Sequence, residues 1–146
     1  MNFLARLFGI KPERRKAAET GFYWQTEGMP AVAAGRGWTQ EVVGESFYRS
    51  ALQKIAKGAT RHGVMISKPA ELIAGEYEGR PAVFVAIDGQ RVGAIPKEVS
   101  ADLHREIVAL APAGRVSAKG QISAGYEGAD YCVKLSFARP LRIRTA

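Results

Sequence analysis

The chain has 146 residues, 47% of them hydrophobic and 24% charged. That is enough for one domain with an appendage, too short for two independent cores, and unlike a disordered or fibrous composition. Lys and Arg number 21 against 14 Asp and Glu, a net charge of +7 that favours a polyanionic partner. No apolar run approaches the length of a membrane-spanning helix, and the single Cys132 excludes an internal disulfide and a multi-cysteine zinc site.

Residues 1–10 form a short apolar stretch followed by Lys11, Arg14, Arg15 and Lys16. This reverses the order of a secretory signal, so the expectation is a cytoplasmic protein. Phe3, Leu4, Leu7 and Phe8 share one side of a two-turn helix, which leaves two readings open: peripheral contact with an anionic membrane, or docking on the domain or a partner. The second is the more ordinary for so short a segment. Residues from Thr20 to Gln40 have a linker composition yet include Phe22, Tyr23, Trp24 and Trp38, rings that solvated linkers rarely carry. Part of this stretch is therefore expected to pack. The chain divides into residues 1–40, an amphipathic segment and linker, and residues 41–146, the folded domain.

Val42 to Glu45 reads as a short strand, with Ser46 capping a helix from Phe47 to Lys57 and Gly58 stopping it. Tyr48, Leu52 and Ile55 fall on one side of that helix, Arg49, Gln53 and Lys57 on the other. Extended structure is expected from Glu71 to Glu76 and from Pro81 to Ile87, joined by a turn containing Gly79. Asp88-Gly89, set between Val83, Val85 and Ile87 and the following Val92 and Ile95, predicts a tight hairpin. Pro96 opens a second helix whose Val99, Leu103, Ile107 and Leu110 recur at helical spacing. Arg115 to Ala124 and Asp130 to Ala138 read as strands joined by a turn at Gly125 to Gly128, with Tyr131, Val133, Leu135 and Phe137 alternating to one face. Leu141 to Arg144 suggests a half-exposed edge strand. Several short strands with two or three helices imply a mainly β, β+α fold: a small OB-like or SH3-like, partly closed β-barrel.

Three segments together point to a family. Val42-Val43-Gly44-Glu45-Ser46-Phe47-Tyr48, Ala82-Val83-Phe84-Val85 and Val92-Gly93-Ala94-Ile95-Pro96-Lys97-Glu98 stand in the order and spacing of the HIRAN domain, which the chain resembles over about Glu41 to Phe137. The resemblance implies an OB-like barrel and DNA binding, in some members capture of a single-stranded 3′ end, and suggests a helicase or nuclease as partner protein. Carried over by position, Phe47 and Tyr48 match the aromatic pair on which terminal bases stack, and Lys97 a basic residue near the backbone. Tyr131 lies near another family aromatic, and Arg49 is drawn in by its place beside the pair. A ring face accepts any base, and a cation makes binding salt-dependent. The same residue types also suit core anchors and solvated helix faces.

The chain departs from the family where an Arg often precedes the aromatic pair and Ser46 stands here, where Ala94 follows Val-Gly, and where an Asn-Pro-Tyr-Asp segment is replaced by residues 75–80. Within those, Glu78 is the substitute for the carboxylate. The resemblance then implies generic single-strand binding more than selection of a free 3′ hydroxyl. No phosphate-cradling loop is present, His62 and His104 have no partner at ligand spacing, and Cys132 alternates away from the apolar face, so neither catalysis, nor a metal, nor a cofactor is expected. The expected function is a nucleic-acid-binding module for single-stranded DNA or DNA ends. The competing expectation is a non-enzymatic protein-interaction adaptor that keeps the barrel and has lost the DNA site.

Overall fold

The computed structural model describes residues 29–56, 63–124 and 131–144. The expectations for Phe3 to Phe8, the rings at 22–24, Lys57, Gly58, His62 and the turn at 125–128 lie outside them. Six antiparallel strands make one curled sheet: β1 (Gln40–Glu41), β2 (Val64–Tyr77), β3 (Arg80–Ile87), β4 (Gln90–Ala94), β5 (Arg115–Ala124) and β6 (Cys132–Ser136), in the order β1-β6-β5-β2-β3-β4. Two α-helices are present among the described residues, α1 (Arg49–Ile55) and α2 (Lys97–Leu110). The result is a small, partly closed β-barrel of the β+α class.

Period-two patterning sets which wall faces in. Leu72, Val83, Val85, Val116, Ile122, Val133 and Leu135 fill the interior, and Leu52 and Ile55 of α1 and Leu103 and Ile107 of α2 join the same cluster. Each such side chain contributes about 1.5–3 kcal/mol on leaving water. Helix α2 forms because its apolar residues recur on one side, and the buried Ser100 Oγ at its start donates to the Ile95 carbonyl at 3.0 Å. The outer wall carries a second, smaller cluster of Ile73, Phe84 and Ala86. Beside it the buried Glu71 carboxylate pairs with the Arg115 guanidinium across β2 and β5.

Both hairpins of β2-β3-β4 turn on a carboxylate residue followed by glycine. Glu78 and Gly79 have φ of 52° and 76°, Asp88 and Gly89 of 53° and 74°. Two successive positive values suit the right-handed twist of the flanking strands, and glycine reaches them without a Cβ penalty. The Asp88-Gly89 hairpin thus stands where the sequence places it.

Closure comes from residues 40–43. Strand β1 pairs with β6 through Gln40 opposite Leu135 and Glu41 opposite Lys134, and two residues later Val43 bridges to Ala94 of β4. The Val43 N–H donates to the Ala94 carbonyl at 2.8 Å, and the Ala94 N–H to the Val43 carbonyl at 2.9 Å. One short segment therefore joins the two sheet edges in a seam. Gly93 permits the approach, since a Cβ there would lie 2.5 Å from Val42 Cγ1 and 2.6 Å from the Val43 oxygen.

Three local expectations are corrected. The extended run at Val42 ends at Gly44, whose φ of 84° turns the chain into a 3₁₀ helix over Glu45–Tyr48, so Ser46 lies within that turn and α1 begins at Arg49 with no side-chain cap. Strand β2 starts at Val64, not Glu71, because its first half pairs with β5 alone and tolerates Pro69 there. Leu141 to Arg144 is not a strand of the sheet: Ile143 makes an isolated bridge to Val32. As expected of part of the stretch before Gln40, residues 30–33 are built into the barrel, with Val32 buried in the core and its N–H donating to the Ser117 carbonyl at 2.8 Å.

Candidate nucleic-acid interface

The chain leaves the seam at Val43 and turns at once through Gly44 into the 3₁₀ helix, so closure of the barrel also positions the aromatic pair. Phe47 is 86% exposed, while Tyr48 is half-buried. In the helix that comes next, Leu52 and Ile55 anchor α1 into the core. An exposed phenyl on a turn held at both ends gives up no core packing.

Tyr48 has a cationic neighbour that sequence reasoning missed. Burial pushes its phenol above the ordinary value, and the Arg91 guanidinium on β4 pulls the other way. Arg91 lies opposite Ala86 on the outer wall, and its guanidinium stands 5.5 Å from the centre of the Phe84 ring, within cation–π range. The alternation of Arg91 with Val92 marks an outward side chain, but nothing in the sequence says that Tyr48 comes to meet it. A guanidinium on β4 thus acts electrostatically on Tyr48 from a position other than Ser46.

Arg49 and Tyr131 are brought together, with the Arg49 guanidinium 5.8 Å from the Tyr131 ring centre. Tyr131 packs partly against the core, and its buried hydroxyl finds no hydrogen-bond partner among the described residues. The Glu45 carboxylate accepts the Val133 N–H at 3.1 Å, which ties the 3₁₀ helix to the start of β6. Cys132 is half-buried nearby, and burial together with the Glu45 and Glu41 carboxylates pushes its thiol up, away from nucleophilic chemistry.

Lys97 is exposed at the first position of α2, three residues beyond Ala94 and so within about 11 Å of the seam by its Cα. Glu78 is exposed at the tip of the β2-β3 hairpin, and from Arg80 to the Phe84–Ala94 row the strand runs four residues, about 13 Å. The structure brings Arg49 to the Tyr131 ring and the unforeseen Arg91 into the electrostatic surroundings of Tyr48, while Phe47 stays exposed on the turn between Gly44 and α1. Chemically these residues offer an exposed phenyl ring followed in sequence by a phenol and a guanidinium, types that suit a planar base attached to a phosphate.

No known protein family, curated protein or solved structure matches this chain. Among the described residues no helix is long and apolar enough to cross a membrane.

Proposed function

We propose that the protein is a non-enzymatic nucleic-acid-binding module of HIRAN type that takes single-stranded DNA or a DNA end. The observation that carries this reading is Phe47: a phenyl ring 86% exposed, on a turn fixed by the seam on one side and α1 on the other. A ring so placed adds nothing to the core and is suited to stacking. Tyr48 supports it from below, while Arg49 and Arg91 supply charge for the adjoining phosphates. Lys97 extends the basic surface toward α2, and Glu78 serves the hairpin turn. A cytoplasmic setting and a helicase or nuclease partner complete the proposal.

The test is fluorescence anisotropy of a labelled single strand over a salt series, with Phe47→Ala and Arg49→Gln. Loss of one stacked base costs about 1–3 kcal/mol, a five- to 150-fold weakening for Phe47→Ala. Because Phe47 is exposed, its removal should leave the melting temperature within about 2 °C. Absence of binding by the wild-type chain at low salt refutes the module and leaves the adaptor reading. Comparing free and blocked 3′ ends then decides whether the terminal hydroxyl is read.

A further inference from the structure

A cleft of about 770 Å³ opens on the outer wall at β2 and β5. In the order β1-β6-β5-β2-β3-β4, those two strands lie half the circumference away from the seam between β1 and β4. The cleft is thus distinct from the aromatic group. It is lined by Ser67 and Pro69 of β2 and by Ser117, Ala118 and Lys119 of β5. Ala31, Val32 and Ala34 line it too, and Lys68 and Arg144 stand among the remaining lining residues.

Among the described residues, three cations and no carboxylate line it. Lys68 is held by Asp88 at 2.6 Å, so the charge on offer comes chiefly from Lys119 and Arg144, both exposed. The Lys119 ammonium also stands 5.7 Å from the centre of the Trp38 ring. Hydroxyls of Ser67 and Ser117 add donors. The wall beside them is stiff, because the Ser117 N–H donates to the Pro30 carbonyl at 2.8 Å and the Arg144 N–H to the Ala31 carbonyl at 2.7 Å. Ammonium, guanidinium and hydroxyl donors, with an indole alongside, match the needs of a phosphodiester carrying a base.

We propose that this cleft is a second contact point for the backbone of the nucleic acid, holding phosphates of a strand whose other end stacks on Phe47. The inference rests on the reading of the protein as a nucleic-acid module. It makes the strand's length matter: a segment that reaches only the ring ignores the cleft, and one that wraps the barrel uses both.

The experiment measures binding of labelled oligo-thymidine strands of about 4 and about 16 nucleotides, the range of site sizes for such folds, across a salt series. The full-length chain is compared with Lys119→Gln/Arg144→Gln and with the charge-keeping pair Lys119→Arg/Arg144→Lys. Each phosphate contact on a single strand contributes about 0.7 to the slope of log affinity against log salt, so loss of two lowers it by about 1.4 for the long strand. The short strand should bind the variant and the wild type alike, and the charge-keeping pair should retain the slope. In a Trp24→Phe background, Trp38 fluorescence should respond to the long strand alone. An unchanged long-strand slope in the folded glutamine variant overturns the cleft, and if Phe47→Ala still weakens both strands the proposed function survives it. Loss of binding with the cleft variant but not with Phe47→Ala upholds the cleft and removes the stacking site. No binding by the wild type overturns both.

Discussion

Gly93→Ala tests the seam directly. The added methyl would sit 2.6 Å from the Val43 oxygen and 2.5 Å from Val42 Cγ1, against the roughly 3.4 Å at which ordinary contact begins, so about 0.8 Å of displacement is required. Val42 is buried in the core and cannot swing aside. The backbone of residues 42–43 must therefore retreat, stretching the two hydrogen bonds that join Val43 to Ala94 at 2.8 and 2.9 Å. Overpacking costs about 1–3 kcal/mol and each weakened hydrogen bond about 0.5–1.5 kcal/mol, not all additive, which gives about 2–4 kcal/mol. At about 4 °C per kcal/mol for a chain of this size, the melting temperature should fall by about 8–16 °C, read by circular dichroism. The amides of Val43 and Ala94 should exchange faster with solvent while those of Leu72 and Val116 stay protected. A loss under about 2 °C, with both seam amides still protected, would refute the argument that this glycine is required for closure.

Arg115→Ala removes the partner of the buried Glu71 carboxylate and should cost about 2–4 kcal/mol in urea unfolding, whereas Glu71→Leu/Arg115→Met should recover most of the loss. A double variant as unstable as the single one would count against an unpaired carboxylate as the cause. Glu106 gives a pH signature. Burial works to raise its carboxyl, but hydrogen bonds from Arg139 and from the Leu141 N–H, with the charge of Arg139, leave it below its ordinary value. Because the folded pKa is depressed, its contribution is present above the unfolded value, near 4.3, and is lost as pH falls through the lowered one. Glu106→Gln should therefore lower stability at pH 7 by about 1 kcal/mol, discounted for exposure, with the gap closing below pH 4. A gap that persists unchanged at pH 3 contradicts this.

The elements most legible in the sequence were those whose signal is local. Asp88-Gly89 announces its turn because backbone conformation alone demands those residue types, and α2 is visible because Leu103 and Ile107 repeat on one side. The seam was invisible for the opposite reason. Gln40 to Val43 pairs with β6 and then with β4, so it makes too few bonds on either side to impose a period. The first half of β2 was hidden by Lys68 and Pro69, which interrupt its apolar alternation at the point where β3 no longer accompanies it. The same limit applies to the site. Phe47 and Tyr48 stood out as neighbouring rings, but the approach of Arg91 to Tyr48 depends on two strands meeting across the seam, and the basic cleft depends on residues 31, 68, 119 and 144 being gathered by the fold.

The bond between Arg144 and Ala31 means that the polypeptide enters and leaves the barrel at a single point, on the rim of the basic cleft. Joining those two positions with a brief linker and opening the chain at Glu78-Gly79 would give a circular permutant with every strand pairing intact.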